Sequence, residues 1–281
     1  MTTQELEQTR AAWDRIAGGY DEFVTPRWAL SEDALGRAGL RPGMRFLDVA
    51  SGSGALSVAA ARLGAQVVAT DLSPVMIDRL QARAQAEGLA NLEGRVMDGH
   101  ALELEDDTFD RTGSQFGVML FPDQPRGLRE MVRVTKPGGR VLMVVYRPPT
   151  KVEFLTFFMG AMKAVVPTFT GLPADPPPLP FQAADPEVLR QRMTDAGLKD
   201  VRVEQGNELL EFTSGKHMWD WVTNSNPIAV GMIAGLTDEQ RTSVQEVLDG
   251  MLRERSGGRP AAALNNEVSI GIGTKQQPTV G

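Results

Sequence analysis

The 281-residue chain has 36 acidic and 29 basic side chains, a formal net charge of −7, and no cysteine. These counts exclude disulfides, thiolate metal ligands and thiol catalysis, and with only two histidines we expect no metal site. An acidic chain without a Lys/Arg cluster is not expected to bind nucleic acid, because such binding depends on phosphate neutralisation. The sequence has no apolar run near the roughly 18 to 20 residues that cross a bilayer, and its N-terminus is polar. We therefore expect a cytoplasmic protein that acts on a small molecule.

Strand-like and helix-like segments alternate along the chain, which predicts a mostly parallel sheet with helices on both faces. A polar, helical segment comes first, and Ser73-Pro74 is typical of a helix start. The "KPGG" stretch at 136–139 is expected to form a turn. The predicted strands are 45–49, 66–71, 92–98, 109–117 and 140–146, and the predicted helices between them are 55–64, 74–87 and 125–134.

The composition changes after Tyr146, where an apolar helical stretch, "FLTFFMGAMKAVV", is followed by a proline-dense loop. The core pattern resumes with a helix that starts at Asp185-Pro186, a sixth strand at 199–206 and a closing strand at 265–275. A capping-box pattern, Thr237 with Gln240, predicts one further helix start. We expect a single domain, 1–281, that consists of an N-terminal cap (1–39), a core (about 40–146 and 182–275) and helical insertions at about 147–181 and 212–260.

The stretch "FLDVASGSG" joins the first strand to its helix through a glycine-containing loop, which lets a ligand approach the backbone closely. Asp71 ends the second strand, 19 residues after Gly52, where a carboxylate can accept hydrogen bonds from both ribose hydroxyls. Alone, the two features fit NAD as well as another adenosine-bearing cofactor. A structural tight turn and a helix-initiating aspartate are the simpler alternatives.

Three residues favour a cationic nucleoside over a dinucleotide. Ser57 stands where a dinucleotide loop has its third glycine, and Asp48 precedes the loop, where its charge would repel a pyrophosphate. Asp98 ends the third strand, where its carboxylate could accept a hydrogen bond from an adenine amino group. Carboxylates at the ends of three successive strands meet at the carboxyl edge of the sheet, where ligands bind.

Four segments, in this order and spacing, resemble the class I S-adenosylmethionine-dependent methyltransferases, and within them the ubiquinone/menaquinone biosynthesis methylases. They are "FLDVASGSG", "VVATDLSP", "RVMDGHALELEDDTFD" and "LREMVRVTKPGGRVLMVVY". The resemblance covers about residues 11–275. It implies a Rossmann-like, doubly wound α/β fold with an antiparallel last strand, and helical insertions that form a lid. The sequence departs from this branch at Ala50-Ser51, where Gly-Cys or Gly-Ala is usual.

The resemblance implies S-adenosylmethionine as cofactor and S-adenosylhomocysteine as product. It places Gly52 and Gly54 near the methionine part. Asp71 is placed at the ribose, Asp98 with Gly99 at the adenine, and Gln115 near the sulfonium. Tyr20, in "WDRIAGGYD", would cap the cofactor, although ordinary helix packing is the alternative for this residue. The expected cofactor contacts are Tyr20, Ala50, Gly52, Gly54, Asp71, Leu72, Met76, Asp98, Gly99 and Gln115.

The acceptor of the methyl group is constrained by polarity rather than by a motif. Phe154, Phe157, Phe158 and Met159 recur too densely for one helix face, so some should face an opening over the sheet edge. We therefore expect a small apolar or aromatic acceptor: quinone-like, polyketide, terpenoid or another secondary metabolite. Simple packing of this helix, or a homodimer contact, is the alternative. The expected substrate pocket comprises Phe121, Phe154, Phe158, His217 and Met218.

No residue is assigned as catalytic base, and His217 is only a weak candidate. His100 follows the expected adenine contacts and is assigned to the rim of the cofactor site. Two other functions stay open. An NAD(P)-dependent oxidoreductase is disfavoured by Ser57, by Asp48 and by the lack of a Tyr-x-x-x-Lys pair. A non-catalytic protein that binds S-adenosylmethionine or S-adenosylhomocysteine and acts by interaction would have the same cofactor residues.

Overall fold

The computed structural model describes residues 3–20, 28–225 and 227–277. Within them, seven strands form one sheet. The strands are β1 (Arg45–Val49), β2 (Gln66–Asp71), β3 (Leu92–Val96), β4 (Phe109–Gln115), β5 (Thr135–Tyr146), β6 (Leu198–Phe212) and β7 (Ala262–Lys275). The helices are α1 (Thr3–Tyr20), α2 (Trp28–Ala38), α3 (Ala55–Arg62), α4 (Pro74–Ala86), α5 (Gln124–Val134), α6 (Glu153–Val165), α7 (Pro186–Asp195), α8 (Gly215–Ser225), α9 (Pro227–Ile233) and α10 (Asp238–Ser256).

The strand order is β3-β2-β1-β4-β5-β7-β6. The first five strands are parallel, and β7 runs antiparallel to both β5 and β6. The order reverses between β1 and β4, so a crevice opens there at the carboxyl ends of the strands, where open α/β sheets bind ligands. The predicted Rossmann-like, mostly parallel sheet with an antiparallel last strand is confirmed.

Helices α4, α7 and α10 begin at the capping residues that the sequence predicts. The Ser73 hydroxyl accepts a hydrogen bond from the backbone N–H of Met76, with Pro74 in the first turn of α4. Asp185 caps α7 in the same manner. At α10, Thr237 and Gln240 form the predicted reciprocal capping box. These caps satisfy backbone donors that a helix leaves unpaired at its start.

Strands β3 and β4 each end two residues before the predicted end and β7 begins three residues earlier than predicted, and two further strands differ more. The predicted turn at 136–139 belongs to β5, and the ladder between β4 and β5 shifts register between Phe109 and Arg111. Strand β6 runs past the predicted end at Gly206 to Phe212 and pairs with β7 up to that residue, with one register shift between Lys199 and Arg202. Beyond Gly206, every second residue of β6 is still buried, as expected for a strand with one face against the core. The strand therefore continues to Phe212.

Two hydrophobic clusters fill the interior. The larger lies between the sheet and its flanking helices. The smaller, which we call the lid cluster, joins α6, α8 and α10 to the far ends of β6 and β7. Helix α1 packs against α4 and α8, so it bridges the sheet layer and the helices of the lid cluster. Across the described residues, no helix is both long and apolar enough to span a membrane.

Candidate cofactor and acceptor site

The loop after β1 turns sharply into α3. Ala50, Gly52 and Gly54 all have positive φ angles, of 55°, 54° and 100°. A Cβ atom at Gly52 would lie 3.4 Å from the ring of Tyr20, at the end of α1. The loop backbone therefore faces Tyr20 across a narrow gap, and the conformation is easy for the glycines but strained for Ala50.

Asp71 fixes this loop to β2. Its two carboxylate oxygens accept hydrogen bonds from the backbone N–H groups of Gly52 at 2.8 Å and Ser73 at 2.9 Å. Burial raises the pKa of Asp71, and these N–H groups oppose that shift because they favour the ionised form. Each oxygen retains acceptor capacity for a second hydrogen bond.

Asp48 lies beneath the loop and is 1% exposed. One oxygen accepts a hydrogen bond from the Ser57 hydroxyl, whereas Oδ1 has no hydrogen-bond partner among the described residues. Burial raises the pKa of Asp48 to about 7, opposed by the Ser57 hydrogen bond and reinforced by the charge of Asp71. A buried, unsatisfied carboxylate oxygen that borders a cavity suits a cationic ligand group.

The third carboxylate lies at the other end of the cavity. Asp98 accepts a hydrogen bond from the backbone N–H of His100 at 2.9 Å, and its carboxylate contacts His100 Nδ1 at 2.8 Å. The His100 ring packs on Phe121, with 4.4 Å between ring centroids. A Cβ atom at Gly99 would lie 2.5 Å from Phe121, so only glycine permits this packing. The rings of His100 and Phe121 therefore form a flat wall next to the Asp98 carboxylate, which can accept hydrogen bonds.

Gln115 ends β4 on the same edge. Its Oε1 accepts a hydrogen bond from the Ser31 hydroxyl at 3.0 Å, and its buried Nε2 has no partner within the described chain. The next residue, Phe116, has a φ of 60°, a strained conformation for a non-glycine residue. Asp48 and Gln115 both border the cavity, and each has one buried polar atom without a hydrogen-bond partner among the described residues: an acceptor on Asp48 and a donor on Gln115.

Helix α1 covers this edge of the sheet. Arg10 donates from Nε to the Leu72 carbonyl oxygen at 3.2 Å, and the Ser73 hydroxyl bonds the Asp14 carboxylate. Both contacts tie α1 to the turn between β2 and α4. The tie places the end of α1, with Tyr20, over the glycine loop.

Two cavities meet at this edge. The first, which we call the cofactor cavity, is bordered by all three strand-end carboxylates. The second, which we call the acceptor cavity, is lined mainly by apolar side chains. Their common wall consists of Trp13, Tyr20, Phe116 and Leu120.

The structure brings together most of the residues that the sequence pointed to. The cofactor cavity is bordered by Tyr20, Ala50, Gly52, Asp71, Leu72, Met76, Asp98, Gly99 and Gln115. Gly54 does not border it. Gly54 instead precedes α3, and a Cβ atom there would lie 3.1 Å from Leu80. Its role is to permit the turn into the helix.

The expected substrate residues divide into three groups. Phe154 and Phe158 of α6 border the acceptor cavity. Phe121 borders the cofactor cavity instead, because Gly99 and Gly127 leave room for its ring beside His100.

His217 and Met218 border neither cavity. Met218 is fully buried in the lid cluster. His217 Nδ1 accepts a hydrogen bond from the Thr213 backbone N–H at 3.2 Å, and its ring meets the edge of Phe212. Helix α8 reaches the acceptor cavity one turn later, through Trp221, Val222 and Ser225.

Sequence reasoning missed several residues of the acceptor cavity. Tyr146 could have been found, because it ends β5 at the same carboxyl edge as Gln115. Phe116 and Trp221 gave no comparable signal, since their positions depend on a strained backbone and on the packing of α8. Within the described ranges, no group of three or more His, Asp or Glu side chains could hold a metal ion.

Two proteins with similar sequences indicate the family of this chain. An uncharacterized protein of Mycobacterium tuberculosis is 41% identical over 185 residues, 63% of this chain and 64% of the relative, which is less than two thirds of its length. The demethylmenaquinone methyltransferase of Renibacterium salmoninarum is 30% identical over 210 residues, 69% of this chain and 85% of the relative.

A solved structure shares the fold. Phosphoethanolamine N-methyltransferase 2 of Haemonchus contortus, in complex with phosphomonomethylethanolamine and S-adenosylhomocysteine, superposes with a TM-score of 0.55 at 20% identity. The superposition covers 89% of this chain and 53% of that chain. The family model of the ubiE/COQ5 methyltransferases matches residues 31–208. The chain therefore belongs to the ubiE/COQ5 methyltransferase family, within the class I S-adenosylmethionine-dependent methyltransferases.

Proposed function

We propose that this protein transfers the methyl group of S-adenosylmethionine to a small apolar or aromatic acceptor. One observation carries the proposal: a cavity with three carboxylates adjoins a mainly apolar cavity, and Tyr20 and Phe116 belong to the wall that the two share. A methyl group has to pass from a polar cofactor to a separate acceptor. Two adjoining cavities, one bordered by three carboxylates and the other mainly by apolar side chains, suit that transfer.

The residues that border the cofactor cavity suggest how S-adenosylmethionine would bind there. Asp71 would bind the ribose hydroxyls, while Asp98 and Gly99 would contact the adenine, with Phe121 and His100 as a flat wall. The unsatisfied Asp48 Oδ1 and Gln115 Nε2 would bind the methionine ammonium and carboxylate. An anionic pyrophosphate would meet the Asp48 charge instead, which disfavours NAD(P).

The acceptor cavity favours an aromatic, quinone-like ring or a similarly apolar metabolite. Its wall includes the rings of Phe116, Tyr146, Phe154 and Trp221, which pack against one another. Towards the surface it shares Leu155, Leu172, Pro178 and Phe181 with an open, proline-rich groove. An acceptor larger than the cavity can extend along this groove. The resemblance to a demethylmenaquinone methyltransferase supports a ring of this kind.

The chemistry places modest demands on the protein. S-adenosylmethionine, when bound, supplies a methyl group already activated by its sulfonium. The protein has to align the acceptor atom with that methyl group and exclude water, effects that together contribute up to about 7 to 11 kcal/mol. The common wall of aromatic and aliphatic side chains serves both purposes.

The test is calorimetric titration with S-adenosylmethionine, S-adenosylhomocysteine and NADH, followed by transfer of a labelled methyl group to naphthols and hydroxyquinones. We expect the first two ligands to bind and NADH not to bind, with label appearing in the acceptor. Binding of NADH alone would overturn the proposal in favour of an oxidoreductase. Binding of both S-adenosyl ligands without transfer to any acceptor would favour the non-catalytic alternative.

A further inference from the structure

A buried carboxylate stands behind the acceptor cavity, away from the three that border the cofactor cavity. Glu208 of β6 is 1% exposed and accepts a hydrogen bond from the Tyr146 hydroxyl at 2.9 Å. It occupies the inward-facing positions of the strand together with Leu210 and Phe212. A carboxylate in such a position has a desolvation cost, which the hydrogen bond from Tyr146 offsets in part.

Tyr146 connects this carboxylate to the acceptor cavity. It borders the cavity, whereas Glu208 lies behind it. The Tyr146 ring stacks on Phe116 with 4.4 Å between centroids and an interplanar angle of 18°. Phe116 belongs to the wall common to both cavities, so Tyr146 lies next to the place where cofactor and acceptor have to meet.

Asn266 holds the arrangement rigid. It is fully buried and donates from Nδ2 to the Glu208 carbonyl oxygen at 3.2 Å. Its Oδ1 accepts the backbone N–H of Phe154 at 3.0 Å. One side chain therefore positions both the strand that carries Glu208 and the start of α6, which lines the acceptor cavity. A fixed geometry of this kind is what proton transfer requires.

From this arrangement we infer that Tyr146 is the general base of the reaction, with Glu208 as the final proton acceptor, and that the acceptor molecule carries a hydroxyl on an aromatic ring. The inference rests on the proposed methyl transfer. In the step, the acceptor oxygen bonds the methyl carbon while the methyl–sulfur bond breaks and the sulfur keeps that electron pair. The acceptor proton passes to Tyr146 Oη as the Tyr146 proton passes to Glu208 Oε2.

The charge balance supports this assignment. The sulfonium loses its positive charge in the step, and Glu208 loses its negative charge by protonation. The step therefore neutralises one positive and one negative charge within the protein interior, and the proton returns to solvent when the acceptor cavity opens.

The test compares Tyr146→Phe and Glu208→Gln with a control, Glu211→Gln, an exposed glutamate of the same strand. Each protein is assayed at about pH 8 with naphthol, which is un-ionised there, and with a dinitronaphthol, which is ionised. We expect both variants to lose about 100-fold or more in turnover of naphthol and less than about threefold with the ionised acceptor. The control should match the wild-type protein on both acceptors, and all four proteins should bind S-adenosylmethionine equally in calorimetry.

Either variant alone decides the question if the other does not fold. Equal losses on ionised and un-ionised acceptors, or no loss on naphthol, would overturn the base assignment while the methyl transfer itself stands. Failure of the wild-type protein to methylate any naphthol or hydroxyquinone would overturn the proposed function, and the base assignment with it.

Discussion

The Ser57 hydroxyl donates a hydrogen bond to the Asp48 carboxylate beneath the cofactor cavity, and this contact joins the first residues of α3 to the end of β1. It opposes the effect of burial on the Asp48 pKa, which stands at about 7. The carboxylate is therefore close to half ionised near neutral pH, so small changes in its surroundings alter its charge.

The first prediction concerns how the affinity for S-adenosylmethionine depends on pH. A cationic ligand group favours ionised Asp48, so binding of S-adenosylmethionine should strengthen as the pH rises through about 7. We expect about a tenfold gain in affinity between about pH 6 and pH 8, measured by calorimetry. Affinity that is flat or falls over this interval would contradict a pairing between Asp48 and the ligand's positive charge.

The second prediction concerns the Ser57 hydroxyl, which donates a hydrogen bond to Asp48. Ser57→Ala removes the hydrogen bond that favours ionised Asp48, so the pH at which affinity rises should move upward. At about pH 7 this variant should bind S-adenosylmethionine about three- to tenfold more weakly. Ser53→Ala is the control, because Ser53 is a buried serine of the same loop with no hydrogen bond to Asp48. If the pH at which affinity rises is the same in Ser57→Ala as in the wild-type protein, the Ser57 hydroxyl does not control the ionisation of Asp48.

The third prediction concerns the ribose. Asp71→Asn keeps the shape of the side chain but removes its charge, so charge-assisted bonds worth about 1.5 to 3 kcal/mol each are weakened. We expect affinity for S-adenosylmethionine to fall by at least about tenfold in calorimetric titration. Asp78→Asn, at an exposed position of α4, should leave affinity unchanged. A folded Asp71→Asn protein with wild-type affinity would remove the ribose assignment.

The fourth prediction separates a functional role of Tyr20 from packing. Tyr20 borders both cavities and faces Gly52, so loss of its hydroxyl should disturb the reacting end more than the nucleoside end. Tyr20→Phe should lower kcat by more than it raises the dissociation constant for S-adenosylmethionine. Parallel changes in the two quantities would indicate that the side chain only packs.

The fifth prediction concerns the strained loop. Ala50 has a φ of 55°, which a glycine adopts without steric cost. Ala50→Gly should therefore raise the free energy of unfolding by about 0.5 to 1 kcal/mol, measured in urea. Ala60→Gly, within α3, should lower it by about 1 kcal/mol because glycine disfavours helix. Destabilisation in both variants would show that Ala50 carries no strain.

The fold was largely predictable because its signals are local. Strands β1 and β2 have the predicted bounds, since short apolar runs there end at polar or glycine positions. The strand-end carboxylates Asp48, Asp71 and Asp98 converge because parallel strands end at one edge. That rule needs only the order of the elements.

The acceptor side was less predictable because its contacts are distant in sequence. Tyr146 and Glu208 lie 62 residues apart, and their pairing depends on the antiparallel strand between them. The predicted sixth strand ends at Gly206, since glycine commonly interrupts strands. Glu208 therefore fell outside the predicted strand, and its place among the alternate, buried residues of β6 could not be predicted. The structure places His217 and Met218 outside both cavities, about one helical turn before Trp221 and Val222, because the packing of α8 against the lid cluster sets which residues of this helix face the acceptor cavity.

The extended pairing of β6 with β7 bears on how the molecule unfolds. The same two strands complete the sheet at one end and enter the lid cluster at the other, where Phe212 pairs with Ala262. Between Arg202 and Phe212 the pairing of β6 with β7 therefore continues from the larger hydrophobic cluster into the lid cluster. Loss of either cluster would fray strands on which the other depends, so denaturation should follow one cooperative transition, with coincident curves from tryptophan fluorescence and circular dichroism.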